Sequence, residues 1–356
     1  MKKNQQNTLI DLKDKTIQYP IIIYGAGAIG ASFGGWLSLY YNNIYILARG
    51  DNAKILKSDG LVLYQKDKKK TDPIPLKIIE DINEKNDPLI VIIAVKNYNL
   101  EDAAREISSK LGDKTIIVAL QNGIENQNIL PKYFSKVIYG IVSYNAWIDK
   151  YGIIGYKEKG EIILGTLNKE LDEITENISG YLNQAFPVRY TNKLQDAIHT
   201  KMIINLGNSV MTLFNYKDLK VDSISILKKI FIGVMKEGMQ IIKASGYKEQ
   251  KLKAMPSWKL INLVDLMPEK ISNLFFKMNI DKIGPNSMTQ DVLLHNRNKT
   301  ELEFLNGYFV KLALKIGIKA PYNNAIYNIC KEQFAKSGFK PFDAAEFWKN
   351  NKASFL

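Results

Sequence analysis

The chain has 356 residues, 46% hydrophobic and 24% charged, a composition that excludes a disordered polymer and gives length enough for two globular domains. No apolar run approaches the ~18–20 residues of a membrane span, which excludes an integral membrane helix. The net charge of +13 comes from 49 basic residues, of which only positions 49, 105, 189 and 297 are arginine; scattered lysines without interleaved aromatics argue against a nucleic-acid partner and leave, at most, attraction of an anionic cofactor or substrate.

Residues 1–17 are polar and hold no apolar signal core, so they read as an extension; export is not expected, and the cytoplasm is the expected compartment. "YPIIIYG" (19–25) is a bounded β-branched run, followed by "AIGASFGGWLSLYY" at helical spacing. Between them "GAGAIG" sets Gly25, Ala26, Gly27, Ala28, Ile29 and Gly30 in the G-x-G-x-x-G pattern. That spacing alone is weak, but strand before and helix after is the context dinucleotide binding requires. Gly25 allows the tight turn, Gly27 lets a pyrophosphate approach the backbone, and Gly30 lets helix and strand pack closely. The helix N-terminus then presents N–H groups to the anion.

"NIYILAR" (43–49) is the second strand. Its end usually chooses the cofactor, an acid there holding the ribose hydroxyls of NAD. Arg49 stands there instead, and a guanidinium pairs with a 2′-phosphate that a carboxylate would repel. NADP(H) is therefore expected over NAD(H), with Asp51 keeping the second cofactor open. "KDKKK" (66–70) reads as a solvated loop.

"PLIVIIAV" (88–95) and "KTIIVAL" (114–120) are near-continuous apolar runs of the kind parallel sheets bury on both faces. Lys96 and Asn122 follow them, where strand ends face the ligand crevice of an open α/β sheet. Loop solvation for Lys96 and an Asn-Gly turn for Asn122 are equally available. "KVIYGIVSYNAWI" (136–148) and "YKEKGEIILGTL" (156–167, with a glycine turn) read as later strands. The pattern predicts an α/β Rossmann domain, a doubly wound parallel sheet, over 18–191.

From about residue 192 helical periods dominate, so an all-helical second domain is expected over 192–356. In "HTKMIINLGNSV" (199–210), wound at ~100° per residue, apolar residues cover most of the circumference. Lys201, Asn205, Asn208, Ser209 and Thr212 share the remaining stripe, which is poor in solvating charge. Later come Ser287 in "GPNSMTQDV" and Glu301 in "TELEFLNGY", where a carboxylate that merely caps a helix is the simpler reading. Cys330, the one cysteine, excludes an internal disulfide and suits a reducing compartment. His199 and His295 lie far apart without ligand spacing, so no metal is expected.

Taken in order, the strand with "GAGAIG", then "AVKNYNL", "LQNGIENQ", "KMIINLGNS", "NSMTQDV", "TELEFLNGY" and "APYNNAIYNI", the chain resembles the ketopantoate reductase (2-dehydropantoate 2-reductase) family over about 20–335. The resemblance implies a Rossmann domain followed by a helical domain, and NADPH-dependent reduction of 2-ketopantoate to pantoate for pantothenate and coenzyme A synthesis. It matches Lys201 to the general acid, Asn205 to the asparagine one turn on, Ser287 to the substrate serine and Glu301 to the "T-E" glutamate. It matches Arg49 to the phosphate-binding arginine, and Lys96 and Asn122 to the Lys and Asn after the sheet strands. On this reading Asn205 and Asn208 hold substrate hydroxyl or carboxylate groups, Ser287 holds the carboxylate, and Glu301 positions Lys201 or a substrate hydroxyl.

The chain departs from the family's pattern in three places. The second substrate asparagine is expected where Ser209 stands, with Asn208 one residue earlier. The stretch between Ser287 and Glu301 is about two residues longer than expected, and the N-terminal extension is unusual. Expected partners are a small 2-oxo acid and no nucleic acid or membrane; a homodimer stays open. The alternatives are a reductase of another 2-oxo acid or imine, and a non-enzymatic NADP-binding regulator.

Overall fold

The computed structural model describes residues 19–66, 68–85, 88–216, 219–253, 255–280, 286–294, 296 and 299–355. The extension 1–17, Asp67 of the lysine-rich loop, Gly284 and Pro285 before Ser287, His295 and Arg297 lie outside them. The chain divides into two compact units between Leu194 and Gln195, and each is described by itself.

The first unit contains β1 (Ile21–Tyr24), α1 (Ala28–Ser38), β2 (Ile44–Leu47), α2 (Gly50–Ser58), β3 (Val62–Gln65), β4 (Ile78–Ile79), β5 (Ile90–Ile93), α3 (Leu100–Leu111), β6 (Ile116–Ala119) and α4 (Glu125–Ile129). It continues through β7 (Val137–Val142), β8 (Ala146–Lys150), β9 (Ile153–Tyr156), β10 (Ile162–Thr166), α5 (Asp172–Leu182) and β11 (Val188–Tyr190). Eight strands form one sheet in the order β11-β10-β7-β6-β5-β1-β2-β4. β1 pairs in parallel with β2 on one side and β5 on the other, Tyr24 standing level with Leu47 and Ile93. The strand order therefore reverses at β1, and the carboxyl ends of β1, β2 and β5 finish together at the switch point where such sheets bind ligands. The strands are apolar all along because both faces are covered: Ile21, Ile22, Ile23, Ile90, Val91, Ile92 and Ile93 are fully buried.

The sheet is mixed at its far side. β10 runs antiparallel to β7, and the run read as one strand over 136–148 is two strands in two sheets. β7 ends at Val142 and β8 belongs to a separate three-stranded sheet, β3-β9-β8. Tyr144 makes the break: its ring is buried edge-on against Trp36 and its hydroxyl lies 3.2 Å from Ser32 Oγ. That anchor turns the chain out of the large sheet. The run over 156–167 likewise begins on the last residue of β9 and returns as β10. Apolar pattern marks such stretches as extended but does not say which sheet receives them.

The second unit is helical: α6 (Leu194–Asn205, whose first residue belongs to the first unit), α7 (Gly207–Leu213), α8 (Val221–Ala244), α9 (Trp258–Leu266), α10 (Glu269–Ile280), α11 (Ser287–Thr289), α12 (Tyr308–Lys315), α13 (Pro321–Gln333) and α14 (Ala344–Asn351). Two π-helical turns, Gln290–Leu294 and Glu303–Gly307, flank the segment holding Glu301. The long α8 packs against α7, α9, α10, α12, α13 and α14. Within it Glu237 is buried and accepts the backbone N–H groups of Tyr322 and Asn323, each at 2.8 Å, capping α13 from another helix. Burial raises its carboxyl pKa against those hydrogen bonds. Among the described residues no helix is long and apolar enough to cross a membrane, and no cluster of His, Cys, Asp and Glu is arranged to hold a metal ion.

Candidate functional site

In the first unit the glycine turn is built by close approach. Gly25 has φ +108°, a left-handed conformation that side chains avoid. A Cβ on Gly30 would lie 1.9 Å from the Gly25 carbonyl oxygen and 3.0 Å from the Ala94 Cβ, so α1 can press onto the strand ends only through glycine. A Cβ on Gly27 would meet nothing within 4 Å. That is the open cradle a pyrophosphate needs in front of α1. Gly27 is the N-cap and the first turn holds no acid, so the helix sets no carboxylate of its own against its positive end. Ala26, Ala28 and Ile29 are half-buried against the sheet core. The Asn52 side chain in α2 donates to the Ala26 carbonyl at 3.1 Å, tying the glycine turn to the segment that carries Arg49.

Arg49 is the extended N-cap residue of α2. Its Nη2 donates to Glu106 Oε1 at 2.6 Å and its Nε to the Glu80 carbonyl at 3.4 Å. The guanidinium carbon stands 5.7 Å from the centre of the Tyr24 ring. The Tyr24 hydroxyl donates to the other Glu106 oxygen at 2.6 Å. Burial, with this carboxylate as acceptor, pushes the Tyr24 phenol up to about 12. The hydrogen bonds from Tyr24, Arg49 and Lys110 pull the Glu106 carboxyl below its ordinary value, against its burial.

Lys96 stands at the N-terminal end of the short turn Asn97–Asn99 after β5, and Asn122 follows β6. The buried Asn97 amide joins the two loops by donating to the Asn122 carbonyl at 2.7 Å. Gln121 Nε2 donates to the carbonyls of Ile93 at 2.8 Å and Val95 at 3.1 Å. Lys96 and Asn122 thus belong to one set of interlocked loops. Gly123 has φ +82°, the left-handed conformation that glycine accepts, where the chain bends after Asn122. Polar residues that hold loops together, such as Asn52, Asn97 and Gln121, carry no spacing that pattern could have exposed.

In the second unit the helix read continuously through 199–210 is interrupted at Leu206, between α6 and α7. The expected polar stripe divides. Lys201, Asn205 and Asn208 are half-buried, whereas Ser209 and Thr212 are fully buried. Ser209 Oγ donates to the Leu206 carbonyl three residues earlier at 2.9 Å, which corrects its expected place in an accessible stripe: a buried helical serine satisfies its hydroxyl on the preceding turn. Thr212 pairs with Thr289 at 2.9 Å.

Asn286 does two jobs. Its Oδ1 accepts the Thr289 N–H at 2.9 Å and its Nδ2 donates to the Asn208 carbonyl at 3.3 Å. The half-buried Ser287 is thereby held beside the start of α7. An Asn ahead of "SMT" is a readable N-cap signal, though its second bond is not.

The charge of Glu301, a hundred residues further along the chain, acts on Lys201. Glu301 is buried, and it opens a helical turn through hydrogen bonds from the Phe304 and Leu305 N–H groups to its carbonyl. Burial pulls the Lys201 ammonium from its ordinary 10.5 down to about 8, and the Glu301 charge opposes that fall. Buried His199, on the same helix, lies 2.8 Å from the Tyr308 hydroxyl through Nε2 and 2.7 Å from the Gln195 carbonyl through Nδ1. Its ring stacks on Tyr247 at 4.0 Å. This joins the Lys201 helix to the one that follows Glu301. Burial lowers the imidazole pKa, favouring its neutral form.

The second unit thus holds a lysine with a lowered pKa, the buried carboxylate whose charge opposes that fall, and two half-buried asparagines on α6 and α7. The family description "Ketopantoate reductase PanE/ApbA" matches residues 21–169, and "Ketopantoate reductase PanE/ApbA C terminal" matches 193–333. The chain belongs to the ketopantoate reductase family. A 2-dehydropantoate 2-reductase of Pyrococcus abyssi (strain GE5 / Orsay) is 25% identical over 332 residues, 90% of this chain and 99% of that protein. A solved PanE/ApbA family ketopantoate reductase from Ralstonia eutropha JMP134 has a TM-score of 0.70 at 18% identity, covering 89% of this chain and 100% of that one. A D-mandelate dehydrogenase solved with NADH and anilino(oxo)acetate has the same TM-score of 0.70 at 18% identity, covering 88% and 98%. These solved ketopantoate reductase and dehydrogenase structures share the fold.

Proposed function

We propose that the chain reduces the 2-oxo group of ketopantoate with NADPH, giving pantoate. What carries this reading is the placement of Lys201, half-buried on α6 under the charge of the buried Glu301, where burial lowers its ammonium to about 8. A lysine in that state gives up a proton near neutral pH far more readily than a solvated one, which suits a general acid. The family to which the chain belongs supports the same reaction.

The residues present fit the dinucleotide. The open side of Gly27 and the α1 N-terminus would hold the pyrophosphate, Arg49 the 2′-phosphate, and the loops of Lys96 and Asn122 the remainder. A bound NADPH supplies the hydride to the carbonyl carbon. Lys201 stabilises the negative charge that develops on the carbonyl oxygen and donates the proton to it. Glu301 keeps Lys201 protonated and oriented. Asn205 and Asn208 hold the substrate's hydroxyl and carboxylate, and Ser287 binds the carboxylate. Asn208 takes the part the family gives to a second asparagine, because Ser209 is buried and bonded within its own helix. The reading places the protein in the cytoplasm, as a supplier of pantoate for pantothenate and coenzyme A.

The test is NADPH oxidation with ketopantoate, 2-oxoisovalerate, pyruvate and a panel of other 2-oxo acids. Ketopantoate should be turned over fastest, because amides left without a hydroxyl partner penalise the acids that lack one. Equal turnover of 2-oxoisovalerate would remove the hydroxyl-binding role of Asn205 and Asn208. The second reading, another 2-oxo acid as the natural substrate, is favoured by the serine at 209, and the same panel would find that acid.

A further inference from the structure

The Arg49 guanidinium, which the proposed function assigns to the 2′-phosphate, is already held by a carboxylate. Glu106 lies 57 residues further along the chain on α3, and its Oε1 accepts Arg49 Nη2 at 2.6 Å. The same oxygen accepts Lys110 Nζ at 3.2 Å, while Oε2 accepts the Tyr24 hydroxyl at 2.6 Å. Lys110 is shared in turn with both oxygens of Asp81, at 3.0 and 2.8 Å. Two cations and two carboxylates balance, so the place where a phosphate dianion is expected carries no net positive charge from this cluster. The Arg49 side chain is 53% exposed and Glu106 24%, so the guanidinium keeps a face open to a ligand while its other edge is engaged.

We propose that Glu106 sets how strongly this chain prefers a 2′-phosphorylated dinucleotide over an unphosphorylated one. The proposal rests on the reading that Arg49 binds the phosphate. Glu106 acts in two opposing ways. It keeps the long arginine side chain on station beside Tyr24, and it competes for the guanidinium while repelling a second anion. Alignment of an exposed side chain contributes little, because exposed ion pairs are weak and screened. A dianion brought close to a half-buried carboxylate meets repulsion that water screens only in part. Repulsion is the larger effect. Glu106 therefore tempers the preference that Arg49 creates, and the site tolerates NADH better than an arginine at the end of β2 would suggest. A dinucleotide without the phosphate leaves the Arg49–Glu106 pair intact.

The experiment measures dissociation constants of NADPH and NADH by nucleotide fluorescence, without substrate, for the wild type and three variants. Glu106→Gln keeps the shape and an acceptor for Tyr24, and should tighten NADPH by about two- to fivefold while leaving NADH within about 1.5-fold. Lys110→Met leaves Glu106 with Arg49 and Tyr24 as its donors and should move the NADPH-to-NADH preference the opposite way. Arg49→Ala should weaken NADPH alone. An unchanged preference in Arg49→Ala overturns the phosphate reading and this proposal with it. A preference lost in Arg49→Ala but unmoved in Glu106→Gln and Lys110→Met overturns the role of Glu106 alone. So does weaker NADPH binding in Glu106→Gln, which would make Glu106 a support for Arg49 rather than its competitor. Retained NADH binding certifies the fold of each variant.

Discussion

Replacing Lys201 by methionine tests the chemistry and the energetics of the second unit together. The fall of its pKa from 10.5 to about 8 corresponds to about 3 kcal/mol by which the folded protein disfavours the charged lysine. The attraction of Glu301 is already counted in that figure. Below about pH 8 the lysine is charged in both folded and unfolded chains, and the cost is fully present. Between about 8 and 10.5 the folded chain has released its proton while the unfolded chain still binds one, so wild-type stability rises with pH across that window. Methionine is similar in length and uncharged, and escapes the cost at every pH. Lys201→Met should therefore be more stable than the wild type at pH 7, by about 1–3 kcal/mol once partial solvent access is discounted. The gain should shrink as the pH approaches 10. Urea unfolding followed by circular dichroism at both pH values reads the difference. In the same variant, turnover of ketopantoate at saturating NADPH should fall about 10²–10⁴-fold. A variant within about ±0.5 kcal/mol of wild type at pH 7 that keeps more than a tenth of its turnover would refute the argument, because a solvated helix lysine behaves that way.

Glu301→Gln removes the charge that raises the Lys201 pKa, so the loss of kcat/KM on the alkaline side of the pH profile should begin at lower pH. A limb that stays in place or moves upward would mean that the carboxylate does not act on Lys201. Gly30→Ala drives a Cβ into the Gly25 carbonyl, 1.9 Å away. It should abolish binding of NADPH and NADH alike and cost at least about 1–3 kcal/mol of stability, measured by titration and thermal unfolding.

Legibility followed the range of the interaction. The runs at 21–24, 44–47, 90–93 and 116–119 could be read because strands buried on both faces must be apolar throughout, and the glycine turn because Gly25 and Gly30 answer to backbone geometry a few residues away. Lys201 stood out because a charge on a sticky helix is costly. The fate of Ser209 was hidden: whether a hydroxyl on a helix faces a ligand or bonds back to its own turn depends on how the helix is packed, and Ser209 is buried. The small sheet β3-β9-β8 escaped because it joins Val62–Gln65 to strands some ninety residues later. Glu106 escaped for the same reason, since a carboxylate on a helix surface looks alike whether it meets water or Arg49.

The two π turns around Glu301 bear on how this segment tolerates changes of length. A π turn is the form an α-helix takes when one residue is inserted and the turns on either side keep their phase. Upstream of the first turn, Asn286 and Thr289 stay bonded to α7. Downstream of the second, Tyr308 stays bonded to His199. Single-residue gains and losses between these fixed ends can be taken up by widening or tightening a turn, with no new loop and no rotation of the helix beyond. Gaps in this region belong at Gln290–Leu294 and Glu303–Gly307 when relatives are aligned. A graft that copies Glu301 without counting the residues in those turns would rotate Tyr308 away from its histidine.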